Sequence, residues 1–363
     1  MAEQRSDDAL RTSPRDVALL RASFEGQDIR IRHLLDLHAD VDYCDEDGLT
    51  ALHHAIFGGF EDAVQLLLDR GADTNASSPV AATPLHLAAL KGRTEIADFL
   101  ISKYRAAVNA VDPDFGTPLH CAAFSSDVEI AKIMLKHGAL VNSMCAVDSS
   151  KQRWLTSFSL GDKAFSDQSA PTNSPFTHAT PLLVAILSNQ ETMAKYLINS
   201  GASPNEPSRI SIKGFSEHLP ASLYPIHVMA SRGLSSLLTH FLANETTNAD
   251  IQDYFGHTAL SHACSGGHTG VVLQLLEAGA SPDMVNYKGE TALHVAARDG
   301  HAECVQALCS HGATINVVNS VGETPVQLAE KAGNSDAAAQ ILQAASRNRA
   351  HVATTAAAAA AAI

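Results

Sequence analysis

Histidine and cysteine are the residues of this chain best suited to chemistry, and their spacing limits what that chemistry can be. Of eighteen histidines, able in principle to act as general bases or metal ligands, His53, His86, His120, His227 and His294 recur in one register and are the first candidates for a site. Six cysteines, Cys44, Cys121, Cys145, Cys264, Cys304 and Cys309, include no C-x-x-C pair. That scatter argues against a zinc site or a disulfide framework and for reduced, mostly buried thiols in a reducing compartment. The run Asp40, Asp42, Asp45, Glu46, Asp47 suggests calcium, but the glycine and closing glutamate of a calcium-binding loop are not at their required offsets.

Other signatures of catalysis are missing: there is no G-x-S-x-G, H-E-x-x-H, Walker loop or G-x-G-x-x-G after a strand. Asp114-Phe115-Gly116 spells a kinase magnesium triplet without any of its companion motifs and is read as coincidence. A chain of 363 residues, 45 % hydrophobic, can bury an extensive core. Twenty-five basic against thirty-nine acidic residues, a net charge of −14, argue against nucleic acid, whose phosphates call for a concentrated positive field. Residues 1 to 80 are the most acidic, with sixteen Asp or Glu against seven Lys or Arg; such a block is expected to be a solvated, solubilising end, the alternative being a field that steers a basic partner. The opening MAEQRSDDALRTSPRDVALL is too charged for a signal peptide, and no stretch reaches membrane-spanning length. The expected location is the cytoplasm or the nucleus, with no membrane partner.

The elements that carry these residues form an internal repeat. Its clearest unit is GETALHVAARDGHAECVQALCSHGATIN, Gly289 to Asn316, with copies starting at Gly48, Ala82, Gly116, Ala179 and Gly256 and weaker ones at Tyr224 and Gly322. Thr50 to Thr83, Thr258 to Thr291 and Thr291 to Thr324 are each 33 apart. The threonine is expected to cap a first helix, with proline tolerated at the next position. Paired alanines such as Ala88-Ala89 allow close helix approach. Glycines such as Gly92 and Gly300 end the first helix, and Gly71, Gly138, Gly201, Gly279 and Gly312 end the second.

The pattern closely resembles the ankyrin repeat over residues 14 to 345, with a divergent capping copy from Val17 making nine. The resemblance implies an all-α solenoid of stacked helix pairs with β-turn finger loops, stabilised by contacts between neighbouring repeats. It implies that the five histidines in register bond to backbone, and that His268 and His301 fill a second structural position. It also places Cys121, Cys264 and Cys304 against neighbouring helices, where small buried thiols are expected.

The spacing defines an N-terminal tail (1–13), repeats one to four (14–142), an insertion (143–178), repeat five (179–205), a short insertion (206–222), repeats six to nine (223–345) and a low-complexity tail (346–363). The first insertion carries Arg153 and Trp154, the only tryptophan, with enough apolar side chains to order as a lid or partner-binding element; its end, rich in Ser and Asp, makes a solvated linker the alternative. Both insertions leave the turn side of adjacent repeats and are expected to touch.

In this family, function resides on the finger turns and the exposed first-helix face, which line a concave groove. From Tyr224 onward these positions include Arg232, Tyr254, Phe255, His257, Tyr287, Lys288 and Arg298, an aromatic and basic set suited to anchoring an interface. The expectation is a non-catalytic scaffold that binds one or more proteins there and at Arg153 and Trp154, without cofactor or metal. The alternative is an enzyme or small-molecule binder, with the insertions 143–178 and 206–222 closing a pocket near repeats four to six and Arg153, Asp162, Lys163, Arg209 or His218 supplying chemistry. No F-box or SOCS-box segment flanks the repeats, so a ubiquitin-ligase adaptor is not expected.

Overall fold

The structure, a computed structural model, describes residues 13–79, 82–145, 176–203, 205–210, 221–243 and 248–347. The chain divides into two compact units, Met1–Gly201 and Ala202–Ile363, although the repeat spacing alone reads as one array.

In the N-terminal unit, five helix pairs follow one another: α1 (Pro14–Phe24) and α2 (Asp28–Asp36), α3 (Ala51–Gly58) and α4 (Glu61–Asp69), α5 (Pro84–Leu90) and α6 (Thr94–Ser102), α7 (Pro118–Ser125) and α8 (Val128–Lys136), α9 (Pro181–Leu187) and α10 (Glu191–Asn199). The C-terminal unit repeats the plan with α11 (Pro225–Ser231) and α12 (Ser235–Leu242), α13 (Ala259–Ser265) and α14 (Thr269–Glu277), α15 (Ala292–Asp299) and α16 (Ala302–Ser310), and α17 (Pro325–Ala332), followed by helical residues 335–347. Within each unit, first helices pack on first helices and second on second. The paired alanines permit this: Ala88, Ala89, Ala122, Ala123, Ala296 and Ala297 are all fully buried. The fold is the expected helical solenoid architecture, unit by unit.

From repeat two onward, each first helix begins at the expected residue. Thr50, Thr83, Thr117, Thr180, Thr258, Thr291 and Thr324 are N-caps in extended conformation, each worth about 1 kcal/mol by the usual capping scale. Tyr224 takes that place in α11. Gly300 caps α15 with φ +83°, where an L side chain would be strained.

Repeat five stacks on repeat four despite the residues inserted between them. Cys145 and Ala179 exchange backbone hydrogen bonds of 3.2 and 3.0 Å, and the His120 Nε2 lies 3.0 Å from the Ala179 carbonyl. Of the first insertion only residues 143–145 and 176–178 are described, the latter as a short strand β1 (Phe176–His178). Trp154, Arg153, Asp162 and Lys163 lie outside the described residues, as does His218 of the second insertion. The expected contact between the insertions therefore falls outside them too. The described ends of the second insertion are not plain loop: β2 (Ser208–Ile210) pairs antiparallel with β3 (Ala221–Leu223), Arg209 opposite Ser222.

Candidate partner-binding surface

The histidines in register are structural, as the resemblance implied. In repeats two to four and eight, the capping threonine N–H donates to Nδ1 of His53 (3.2 Å), His86 (3.4 Å), His120 (3.1 Å) and His294 (3.1 Å). Nε2 of each then donates to a carbonyl of the next repeat: Ala82, Gly116, Ala179 and Glu323. His227 does the same between the Tyr224 N–H and the Ile251 carbonyl. Only a neutral ring protonated at Nε2 serves both bonds, and burial holds the pKa of His53, His86, His120 and His227 down at about 4. His268 and His301 likewise bond to the Ser231 and Ser265 carbonyls.

Three of the four helical cysteines are enclosed, Cys309 being half-buried. Cys121, Cys264 and Cys304 are all buried, and burial raises the Cys121 pKa. Cys264 and Cys304 share a hydrogen bond that raises the first and lowers the second to about 6, out of reach of solvent. Among the described residues no group of three or more His, Cys, Asp or Glu is placed to hold a metal ion.

What the C-terminal unit does present to solvent is a row of finger turns. Each is built around one side-chain oxygen. Asp253 Oδ1 accepts the Phe255 and His257 N–H groups (2.8 Å each), Asn286 Oδ1 those of Lys288 and Glu290 (2.9 Å each), and Asn319 Oδ1 those of Val321 and Glu323 (3.0 and 2.9 Å). The local rule is an Asx turn closed by a glycine: Gly256, Gly289 and Gly322 have φ of +78°, +70° and +86°. Adjacent fingers are stitched through backbone, the Tyr287 N–H donating to the Phe255 carbonyl (3.1 Å) and the Ser320 N–H to the Lys288 carbonyl (2.9 Å). Gln252 Nε2 adds a bond to the Val285 carbonyl (2.9 Å).

Apolar side chains stand on this rigid row. Phe255 is 45 % exposed, Tyr287 77 % and Val321 81 %, with Val285 and Val318 also exposed. Tyr254, half-buried, meets Phe255 edge to face at 5.3 Å between centroids. The structure thus brings Tyr254, Phe255, His257, Tyr287 and Lys288 together on neighbouring fingers. Sequence reasoning missed the three valines, although Val285 and Val318 hold the same place one repeat apart and each precedes its turn asparagine.

Within that group His257 is the side chain held by its neighbours, and Arg298 and Arg232 lie outside it. His257 is half-buried 3.4 Å from Asn286 Nδ2, and burial lowers its pKa. Arg298 reaches back to Glu290 (3.1 Å) and Asp299 (3.0 Å), so its guanidinium neutralises a nearly buried carboxylate that also accepts from Asn286 Nδ2. Arg232 caps the far end of α11, at the opposite end of its helix from the finger side. Beneath the row, His262 Nε2 lies 2.9 Å from Asp253 Oδ2. Burial raises the Asp253 pKa, but the His262 bond and the His257 N–H outweigh it and leave the carboxylate below its ordinary value.

Sequence comparison agrees with this geometry. The family model described as ankyrin repeats (3 copies) matches residues 7–78, 77–145, 226–319 and 273–350, and the single ankyrin repeat model matches 177–209. The chain is 39 % identical over 92 residues to the Drosophila melanogaster ankyrin repeat and KH domain-containing protein mask, covering 24 % of this chain and 2 % of that protein. It is 36 % identical over 77 residues to mouse 2-5A-dependent ribonuclease, covering 21 % of this chain and 10 % of that one. To mouse protein phosphatase 1 regulatory subunit 27 it is 34 % identical over 90 residues, 24 % of this chain and 58 % of the relative. The matched stretches thus span only a small part of the first two relatives and just over half of the third. Capping threonines, bridging histidines, stacked helix pairs and family models covering most of the sequence together make this chain a member of the ankyrin-repeat family.

Proposed function

We propose that the chain is a non-catalytic scaffold that binds a partner protein on the finger row of its C-terminal unit. The observation that carries this reading is the exposure of Phe255, Tyr287, Val285, Val318 and Val321 on fingers already held rigid by backbone hydrogen bonds. A rigid apolar row loses little entropy on binding, and aromatic side chains are frequent energetic anchors of interfaces. Tyr254 packs edge to face on Phe255, Lys288 supplies a charge, His257 and Arg298 border the surface, and Arg232, at the far end of α11, would be met only by a partner that extends along the first-helix face. Arg153 and Trp154 belong to the same proposal as a second contact element. The partner is a protein, met in the cytoplasm or nucleus. Similarity to a phosphatase regulatory subunit supports a role exerted through another protein, without naming that protein. The enzyme alternative rests on the two insertions, most of which lie outside the described residues. Among the described residues no helix is long and apolar enough to cross a membrane.

Affinity purification of the full chain followed by mass spectrometry tests the reading. The expected result is a protein recovered in stoichiometric amount. Recovery of no protein under any condition, together with turnover of a small molecule, would replace it with the enzyme alternative.

A further inference from the structure

Seven residues after the capping Thr or Tyr of each first helix from repeat two onward, and at Phe24, one 33-residue repeat before Phe57, stands a side chain that is never fully buried, and its type divides the chain. In the N-terminal unit it is Phe24, Phe57, Leu90, Phe124 and Leu187. In the C-terminal unit it is Ser231, Ser265, Arg298 and Lys331. Polar residues at this register support the same helix pairs in the second unit, so folding does not require the apolar ones in the first.

The row is open to solvent at its start, where Phe24 is 54 % exposed and its ring stacks on Phe57 at 6.4 Å between centroids. Lys91 Nζ sits 4.3 Å from the Phe57 centroid, which shows that a face of that ring is turned away from the core and already holds a cation. An acidic finger borders the same row. His54 meets Phe24 edge-on at 5.9 Å and bonds Asp45 at 2.9 Å, and exposed Glu46 and Asp47 follow Asp45 in that turn. Residues 1 to 80 carry sixteen Asp or Glu against seven Lys or Arg.

From this juxtaposition we infer a second docking surface, on the first-helix face of the N-terminal unit, for a basic partner segment bearing large apolar side chains. Its apolar groups lie along Phe24, Phe57, Leu90 and Phe124, and its Lys or Arg residues meet the Asp45–Asp47 finger and the aromatic faces. A second copy of this chain fits poorly, because it would set acidic fingers against acidic fingers. The inference rests on the reading of the chain as an interaction scaffold.

Display of random 16-residue peptides against the full chain tests it, with Phe57→Ser/Phe124→Ser and Glu46→Gln/Asp47→Asn as comparison proteins. Serine is what the second unit carries at this register, and an unchanged circular dichroism melt verifies that the variants fold. The expected result is enrichment of positively charged peptides with large apolar residues, whose binding weakens at least about tenfold in each variant. Acidic peptides, or basic ones that bind Phe57→Ser/Phe124→Ser as well as the parent, would overturn the inference while leaving the scaffold reading intact. Self-association abolished by the same two serines would make the row a face between copies and overturn it as well. Enrichment of no peptide at all would count against both readings.

Discussion

Asp253 and His262, nine residues apart, are joined by a 2.9 Å bond from Nε2 to Oδ2, and Asp45 and His54 repeat the pair at the same spacing and distance in the other unit. In both, the second carboxylate oxygen accepts two N–H groups of its own finger turn. One side chain thereby folds the finger and fastens it to the first helix of its own repeat. Replacing Asp253 with alanine should destabilise the C-terminal unit by about 1–3 kcal/mol, since it strands two turn donors and an imidazole. Asp253→Asn keeps the turn acceptor and should cost less. Urea denaturation of the two variants checks the order; equal losses would mean that the turn bonds contribute little.

The bridging histidines give stability a defined pH dependence. Folding lowers the pKa of His53, His86 and His120 from 6.5 to about 4, chiefly by burial, with the carbonyl bond at Nε2 opposing. Between those values the unfolded chain binds more protons than the folded one. The contribution is therefore fully present above pH 6.5 and is lost as pH falls toward 4, up to about 3 kcal/mol for each imidazole. Urea midpoints taken from pH 7 to pH 5 should fall steeply. His120→Gln should be less stable at pH 7 yet show a shallower slope. A flat profile in the parent would contradict the neutral-imidazole bridge.

Gly289 turns its finger with φ +70°, and a Cβ there would lie 3.0 Å from the Ser320 backbone nitrogen, the donor that stitches this finger to the next. Gly289→Ala should cost about 1–3 kcal/mol through backbone strain. It should also speed hydrogen exchange at the Ser320 amide more than at helix amides of the same repeats. Unaltered exchange at Ser320 would show that the fingers are not coupled in this way.

Thr50, Pro84, His120 and Gly300 announce the fold because each does a local task, capping, starting, bridging or ending a helix, that its own chemistry allows. The division of the chain at Gly201 was not legible: the extra residues before Tyr224 look the same in sequence whether they loop out or separate two units. The short pairing of Ser208–Ile210 with Ala221–Leu223 was not anticipated within the short insertion, although Arg209-Ile210-Ser211-Ile212 alternates as a strand does. The late aromatic patch was visible as a composition shift. The row from Phe24 to Leu187 escaped because its members are unremarkable one by one and become a surface only when aligned by repeat. Arg298 reads as a free cation in sequence, and only the fold brings Glu290 within 3.1 Å of it.

Titration of the protein recovered by affinity purification against the full chain and its Phe255→Ala/Tyr287→Ala variant decides whether Phe255 and Tyr287 anchor that partner. Both side chains are largely exposed, so the variant should melt as the parent does. The dissociation constant should rise by about thirtyfold or more, equivalent to about 2 kcal/mol. An unchanged constant with a folded variant would mean that Phe255 and Tyr287 do not anchor it.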